Sequence, residues 1–264
     1  MPVAIINGIR HYYRLEGNPA KPPLVLVHPI GADASLWDKV SPLLTDRFRV
    51  LRYDLRGHGG SETGVGDCSL ALLASDLLAL TETLGIGHFV VAGVSLGAMA
   101  AVHAAAIAPD RVTAVVACSV AARLNPPPGG WDGRAVQVLQ QGTAGVAAGM
   151  VERMFSAPFT ATHDPAIDTL RTVLERMDPQ GYAAACAVLR DTDLATGASR
   201  VRAPVLVVTG EADPLVPPAV GQALAGLFAR GRWMGLPCGH FPPVEDAASF
   251  SAALTEFASQ ALNA

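Results

Sequence analysis

Five residues near the middle of the chain, Gly93-Val94-Ser95-Leu96-Gly97, have the types and spacing needed to present a nucleophile. A serine hydroxyl is weakly nucleophilic and has to be lifted on a sharp turn, clear of its neighbours. The β-rich run Phe89 to Val94 precedes the pentad and the small-residue run Leu96 to Ala108 follows it. The pattern therefore predicts a strand, a tight turn at Ser95 and a helix. Glycines at 93 and 97 let the helix close on the strand. A helix N-terminus beneath Ser95 would favour developing negative charge. Taken alone, the five letters also fit a turn that merely joins strand to helix.

Attack by serine needs a base, and the base needs a group to orient it. Asp213 lies in Thr209-Gly210-Glu211-Ala212-Asp213-Pro214, and His240 in Pro237-Cys238-Gly239-His240-Phe241. Each follows a predicted strand, where a parallel sheet carries its functional loops. The order Ser, Asp, His suits a nucleophilic turn of this kind. Glu211 is a rival acid, but it lies closer to the strand and is expected to face away. Two backbone N–H groups must hold a developing oxyanion. Leu96, directly after Ser95, supplies one. Pro29 in His28-Pro29-Ile30-Gly31 has no N–H, so Ile30 is the expected second donor.

Other tempting residues take structural readings. His28 is expected to support the Pro29-Ile30 loop. Asp54 and Arg56-Gly57-His58-Gly59 read as a turn and capping network, and His103 as a buried histidine in an alanine-rich helix. Cys118 and Cys238 read as small buried residues, because a cysteine nucleophile would need its own base.

The elements that must position these residues alternate. Asn7-Gly8 between two short apolar runs predicts a hairpin over 3–16. Leu24 to Val27, Phe48 to Asp54, Phe89 to Val94 and Val112 to Val120 read as strands, with short helical turns over 34–44. Ser69 caps a helix to about Leu84, with apolar residues at 70, 73, 77, 80 and 84. Leu124-Asn125-Pro126-Pro127-Pro128-Gly129-Gly130 breaks the alternation. Helices are then predicted over Gly133 to Met154, Pro165 to Met177 and Gly181 to Leu189. Strands resume at Pro204 to Thr209 and Arg232 to Leu236, and Ala247 to Leu262 closes as a helix. The expected class is α/β: a mostly parallel central sheet flanked by helices. Its core is 1–123 plus 199–264, with 124–198 as a helical cap.

Composition narrows the function classes. Of 264 residues, 50% are hydrophobic and 16% charged, enough apolar mass for a large core. A net charge of −4 with no basic run gives nucleic-acid binding no electrostatic support. The four cysteines form no C-x-x-C pair, so no metal site is expected. Residues 83–108 lack Asp, Glu, Lys and Arg, but glycines at 85, 87, 93 and 97 argue for strand, turn and helix rather than a membrane span. The N-terminus lacks the basic start and long apolar stretch of a signal peptide, so a cytoplasmic location is expected.

With these residues in view, the sequence resembles the α/β-hydrolase superfamily and, within it, the 3-oxoadipate enol-lactonases and close ester- and lactone-hydrolysing relatives. Besides the pentad and the Asp213 and His240 loops, the resemblance lies in the cap: Trp131-Asp132-Gly133-Arg134, Glu152-Arg153-Met154-Phe155, Asp178-Pro179-Gln180-Gly181-Tyr182-Ala183-Ala184 and Leu189-Arg190-Asp191-Thr192-Asp193-Leu194. It departs at Phe241-Pro242-Pro243, where Leu-Ser-Asn is common, at Met154 for Trp, at Pro29-Ile30 and at Ala98.

The resemblance implies hydrolysis of a small ester or lactone through an acyl-enzyme on Ser95, with no cofactor or metal. The family substrate carries a carboxylate, so Arg134 and Arg153, with Trp131, are the implied binding residues. Salt bridges within the cap, or solvent, are the other places for both arginines. A carboxylesterase or lactonase with another small substrate, and a ligand-binding protein without turnover, stay open. A haloalkane dehalogenase would want Asp at 95.

Overall fold

The structure, a computed structural model, describes residues 2–66 and 68–263, with backbone only at Ala148 and Glu152. The chain opens with the expected hairpin. Asn7 and Gly8 take φ of 48° and 83°, the left-handed pair that a two-residue hairpin turn needs. They join β1 (Val3–Ile6) to β2 (Ile9–Glu16). The Asn7 side-chain amide donates to Asp76 at 2.8 Å, so the turn residue also anchors the hairpin to the first long helix.

Six further strands complete one sheet: β3 (Pro23–Val27), β4 (Arg49–Tyr53), β5 (Phe89–Val94), β6 (Val112–Cys118), β7 (Val205–Gly210) and β8 (Gly231–Leu236). Their order is β1-β2-β4-β3-β5-β6-β7-β8. Among the described residues only the β1–β2 and β2–β4 pairings are antiparallel. β5 and β7 are buried at every position. Both faces of these strands are covered, so they read as unbroken apolar runs rather than alternating ones.

The core helices are α1 (Ser41–Leu44), α2 (Leu70–Thr83) and α3 (Leu96–Ile107), which precede a helical insertion. Ser69 caps α2 by accepting from Leu72 N at 3.2 Å, and α2 buries Leu73, Leu77 and Leu80. α3 is buried along nearly its whole length. The charge-free stretch is thus strand, turn and buried helix, and no helix among the described residues is long and apolar enough to cross a membrane.

Between β6 and β7 lie α4 (Gly130–Gln141), α5 (Ala144–Met154), α6 (Ala157–Thr160), α7 (Pro165–Glu175) and α8 (Pro179–Asp191). The single helix expected over 133–154 is therefore two. Gly142, at φ 75°, ends α4 in a conformation that continues no helix. Thr143 then donates to the carbonyls of Glu175 and Met177, pinning the break to the end of α7. After β7 come α9 (Pro218–Ala225), α10 (Pro242–Glu245) and α11 (Ala247–Leu262). The sequence reading did not include α6, α9 or α10. All three carry proline in the first turn, where the missing N–H has no helical partner to lose.

Candidate active site

Ser95 sits between β5 and α3 with φ 51° and ψ −116°. Such a setting costs a residue with a Cβ of order 1–3 kcal/mol and persists only where its surroundings impose it. Two glycines impose it here. A Cβ on Gly93 would collide with the Gly97 carbonyl, and a Cβ on Gly97 with the carbonyl oxygens of Val27 and His28. α3 therefore closes directly on β5 and β3, leaving the turn no room to relax.

His240 follows β8 and Asp213 follows β7. Asp213 Oδ2 lies 2.8 Å from His240 Nδ1. Its Oδ1 accepts from the N–H groups of Leu215 at 2.8 Å and Val216 at 3.1 Å. A carboxylate at Nδ1 places the ring proton there and leaves Nε2 as the basic nitrogen. Both side chains are buried, whereas Glu211 is exposed.

The loop after β3 is aimed by His28. Its Nε2 accepts from Leu55 N–H at 2.9 Å, so Nδ1 carries the proton and donates to the Pro29 carbonyl at 2.8 Å. Burial lowers the pKa of His28, in keeping with a neutral ring. The Pro29 carbonyl and the Ile30 N–H belong to one trans peptide and point in opposite directions. Tying the carbonyl to His28 turns the N–H the other way. Leu96 is the first residue of α3, so its N–H has no acceptor within the helix. Among the described residues neither N–H donates to a protein acceptor.

Ser95, His240 and Ile30 line one cavity of about 300 Å³. Trp131, Arg134 and Arg153 line it from the insertion. Trp131 and Arg134 are three apart on α4 and share a face. The Nε1 of Trp131 and the Nε of Arg134 are buried without an acceptor. No ion pair to Arg134 or Arg153 occurs among the described residues. Tyr182, whose phenol burial pushes up to about 12, lies beside Arg134. Apart from Asn125, the rest of the wall is apolar and includes Pro126, Pro127 and Pro128 from the run that opens the insertion. Sequence reasoning took that run only as a breaker.

The other residues noted in the sequence lie elsewhere. Asp54 accepts from Ala34 N and Gly60 N, and Arg56 pairs with buried Asp76 at 2.6 Å. His103 and Cys68 line a second cleft of about 290 Å³ between α2, α3 and the end of the insertion. Burial pushes the Cys68 thiol up to about 11, so it is no ready nucleophile. Burial likewise pushes the Cys118 and Cys238 thiols upward.

The sequence pattern of the alpha/beta hydrolase fold matches residues 22–247. The 3-oxoadipate enol-lactonase 2 of Acinetobacter baylyi is 29% identical over 242 residues, covering 92% of this chain and 90% of that protein. The pimeloyl-[acyl-carrier protein] methyl ester esterase of Methylococcus capsulatus is 34% identical over 221 residues, covering 81% of this chain and 85% of that one. The crystal structure of an enol-lactonase from Burkholderia xenovorans superposes with a TM-score of 0.94 at 33% identity, covering 98% of this chain and 100% of that one. On sequence and architecture together, the chain belongs to the α/β-hydrolase fold family.

Proposed function

We propose that this protein hydrolyses a small carboxylic ester or lactone through an acyl-enzyme on Ser95, with an anionic enol-lactone such as 3-oxoadipate enol-lactone as the leading substrate. The observation that carries the reading is the strained Ser95 turn opening on the same cavity as His240, whose Nδ1 is held by Asp213 at 2.8 Å. His240 Nε2 takes the Ser95 proton as Oγ bonds to the carbonyl carbon. The N–H groups of Ile30 and Leu96 hold the oxyanion. As the ring C–O bond breaks, His240 returns the proton to the departing enolate oxygen, which stays tethered to the acyl group. Water then adds to the acyl carbon, giving its proton to His240, which passes it to Ser95 Oγ as the acyl C–O bond breaks and the acid leaves. Asp213 keeps the imidazole in the required tautomer and stabilises its charged form.

The substrate's carboxylate would sit against α4 and α5. Arg134 and Trp131 offer buried donors without acceptors, and Arg153 adds a second cation. The test compares 3-oxoadipate enol-lactone with p-nitrophenyl acetate, using Ser95→Ala as control. Ser95-dependent lactone opening with kcat/KM of roughly 10⁴ M⁻¹s⁻¹ or more supports the reading. Full turnover by Ser95→Ala would falsify the acyl-enzyme. Ser95-dependent cleavage of the simple ester alone would favour a carboxylesterase. The likeness to a methyl ester esterase and the largely apolar wall keep that second reading in play.

A further inference from the structure

Glu245 ends α10, five residues past His240, and takes no part in the steps above. Its half-buried carboxylate has three donors. Oε1 accepts from Gly239 N–H at 2.8 Å. Oε2 accepts from Ser156 Oγ at 2.5 Å and from Ser156 N–H at 3.2 Å. Gly239 directly precedes His240, whereas Ser156 stands just past the end of α5. Beside this carboxylate, His240 N–H donates to the Met154 carbonyl at 2.7 Å. A Cβ on Gly239 would stand 2.6 Å from Glu245 Oε1, 2.7 Å from Ser156 N and 2.8 Å from Met154 O. Only glycine allows so close an approach. The rings of Phe155 and Phe241 meet edge-on at 5.5 Å across the same junction.

The need for such a contact follows from topology. β8 is an edge strand, so the loop that carries His240 has a neighbouring strand on one side only. On that side Ala212 N–H donates to the Cys238 carbonyl and Asp213 holds the ring. On the other side the loop meets segment 154–156 of the insertion.

We propose that Glu245 is a positioning residue that clamps segment 154–156 to the His240 loop, holding the base and the pocket wall of Arg153 and Met154 in one register. The inference rests on the reading of Ser95 and His240 as nucleophile and base. The carboxylate bonds are charge-assisted, and removing the carboxylate strands three donors at once. A base displaced by a fraction of an ångström loses rate even for a substrate too small to touch the insertion.

Glu245→Ala, Glu245→Gln and Ser156→Ala are compared with the wild-type protein. Titrating Ser95 with a fluorophosphonate counts competent molecules, so any misfolded fraction drops out. Kinetics on p-nitrophenyl acetate are expressed per titrated site, and hydrogen exchange is followed in peptides covering 150–158 and 237–245. Glu245→Ala is expected to lower kcat per site about 10- to 100-fold, with KM within about threefold. Exchange should quicken in both peptides together. Glu245→Gln, which keeps one oxygen, and Ser156→Ala, which removes one donor, should fall between. They carry the test if Glu245→Ala does not fold. Wild-type kcat per site in these variants, or quickened exchange in only one peptide, would overturn the proposal. Failure of the hydrolase reading is distinguishable: the wild-type Ser95 would then stay unlabelled, and the positioning role would fall with it.

Discussion

The direction of one N–H in the proposed oxyanion site is held chiefly by an imidazole, whose 2.8 Å bond to the Pro29 carbonyl is much shorter than the 3.4 Å bond from Ala32 N–H. His28 bonds on both sides, accepting from Leu55 N–H at Nε2 and donating to the Pro29 carbonyl from Nδ1. Replacing it by alanine leaves the Pro29 carbonyl only the long 3.4 Å bond from Ala32 N–H, so the Pro29–Ile30 peptide is loosened. His28→Ala is expected to lower kcat per titrated site by about 10²- to 10³-fold, the scale of losing one oxyanion donor, with little change in KM. An unchanged kcat would show that Ile30 does not contribute. Arg134 acts on binding instead. Arg134→Ala should raise KM for an anionic lactone by about 10- to 100-fold, from the loss of a charge-assisted hydrogen bond. It should leave p-nitrophenyl acetate unaffected, and equal effects on both substrates would remove the anion role.

Among the elements, two glycines with similar letters play different parts. Gly97 lies where α3 meets β3, and any Cβ there strikes the carbonyls of Val27 and His28. Gly142 ends α4 with open space around it and only its φ of 75° to defend. Gly97→Ala should cost about 3 kcal/mol or more, because backbone on both sides has to move. Gly142→Ala should cost about 1–3 kcal/mol, because φ 75° with ψ 169° is a backbone region essentially reserved for glycine. Urea unfolding separates them, and equal costs would mean that α3 does not close on β3 as described. The Ser95 turn was legible because its glycines carry a local backbone demand. The break at 142 was missed because an isolated glycine inside a helix-like run is weak punctuation, and the Thr143 contacts that hold it come from more than 30 residues away.

For the molecule as a whole, buried histidines set the response to acid. His11, His28 and His58 are all buried, and burial lowers the pKa of each, to about 3 for His58. The unfolded chain protonates these rings near 6.5, whereas the fold holds them neutral. Stability is therefore intact above pH 6.5 and is lost as pH falls below it toward the folded-state values. Each ring costs up to about 1.4 kcal/mol per pH unit in that window. The carboxyls of Asp54 and Glu245, raised mainly by burial, act in the opposite sense. Unfolding free energy at pH 5.5 should lie below that at pH 7.5, by about 1 kcal/mol from His58, with His11 and His28 adding in the same direction. A flat profile would mean that the rings are protonated in the fold.

By itself the sequence determined the strand-turn-helix around Ser95, the hairpin at Asn7-Gly8, the alternation that builds the sheet and the loops after β7 and β8 that carry Asp213 and His240. Each of these is written in local spacing: period, caps, glycines and the positions of strand ends. The tertiary structure alone decided that Arg134 and Arg153 both line the cavity, which tautomer His28 adopts and how Glu245 joins Gly239 to Ser156. Those depend on groups brought together from distant positions, 89 residues apart for Glu245 and Ser156. A pattern of neighbours along the chain carries no record of such meetings, because they exist only once the helices of the insertion have settled over the ends of the strands.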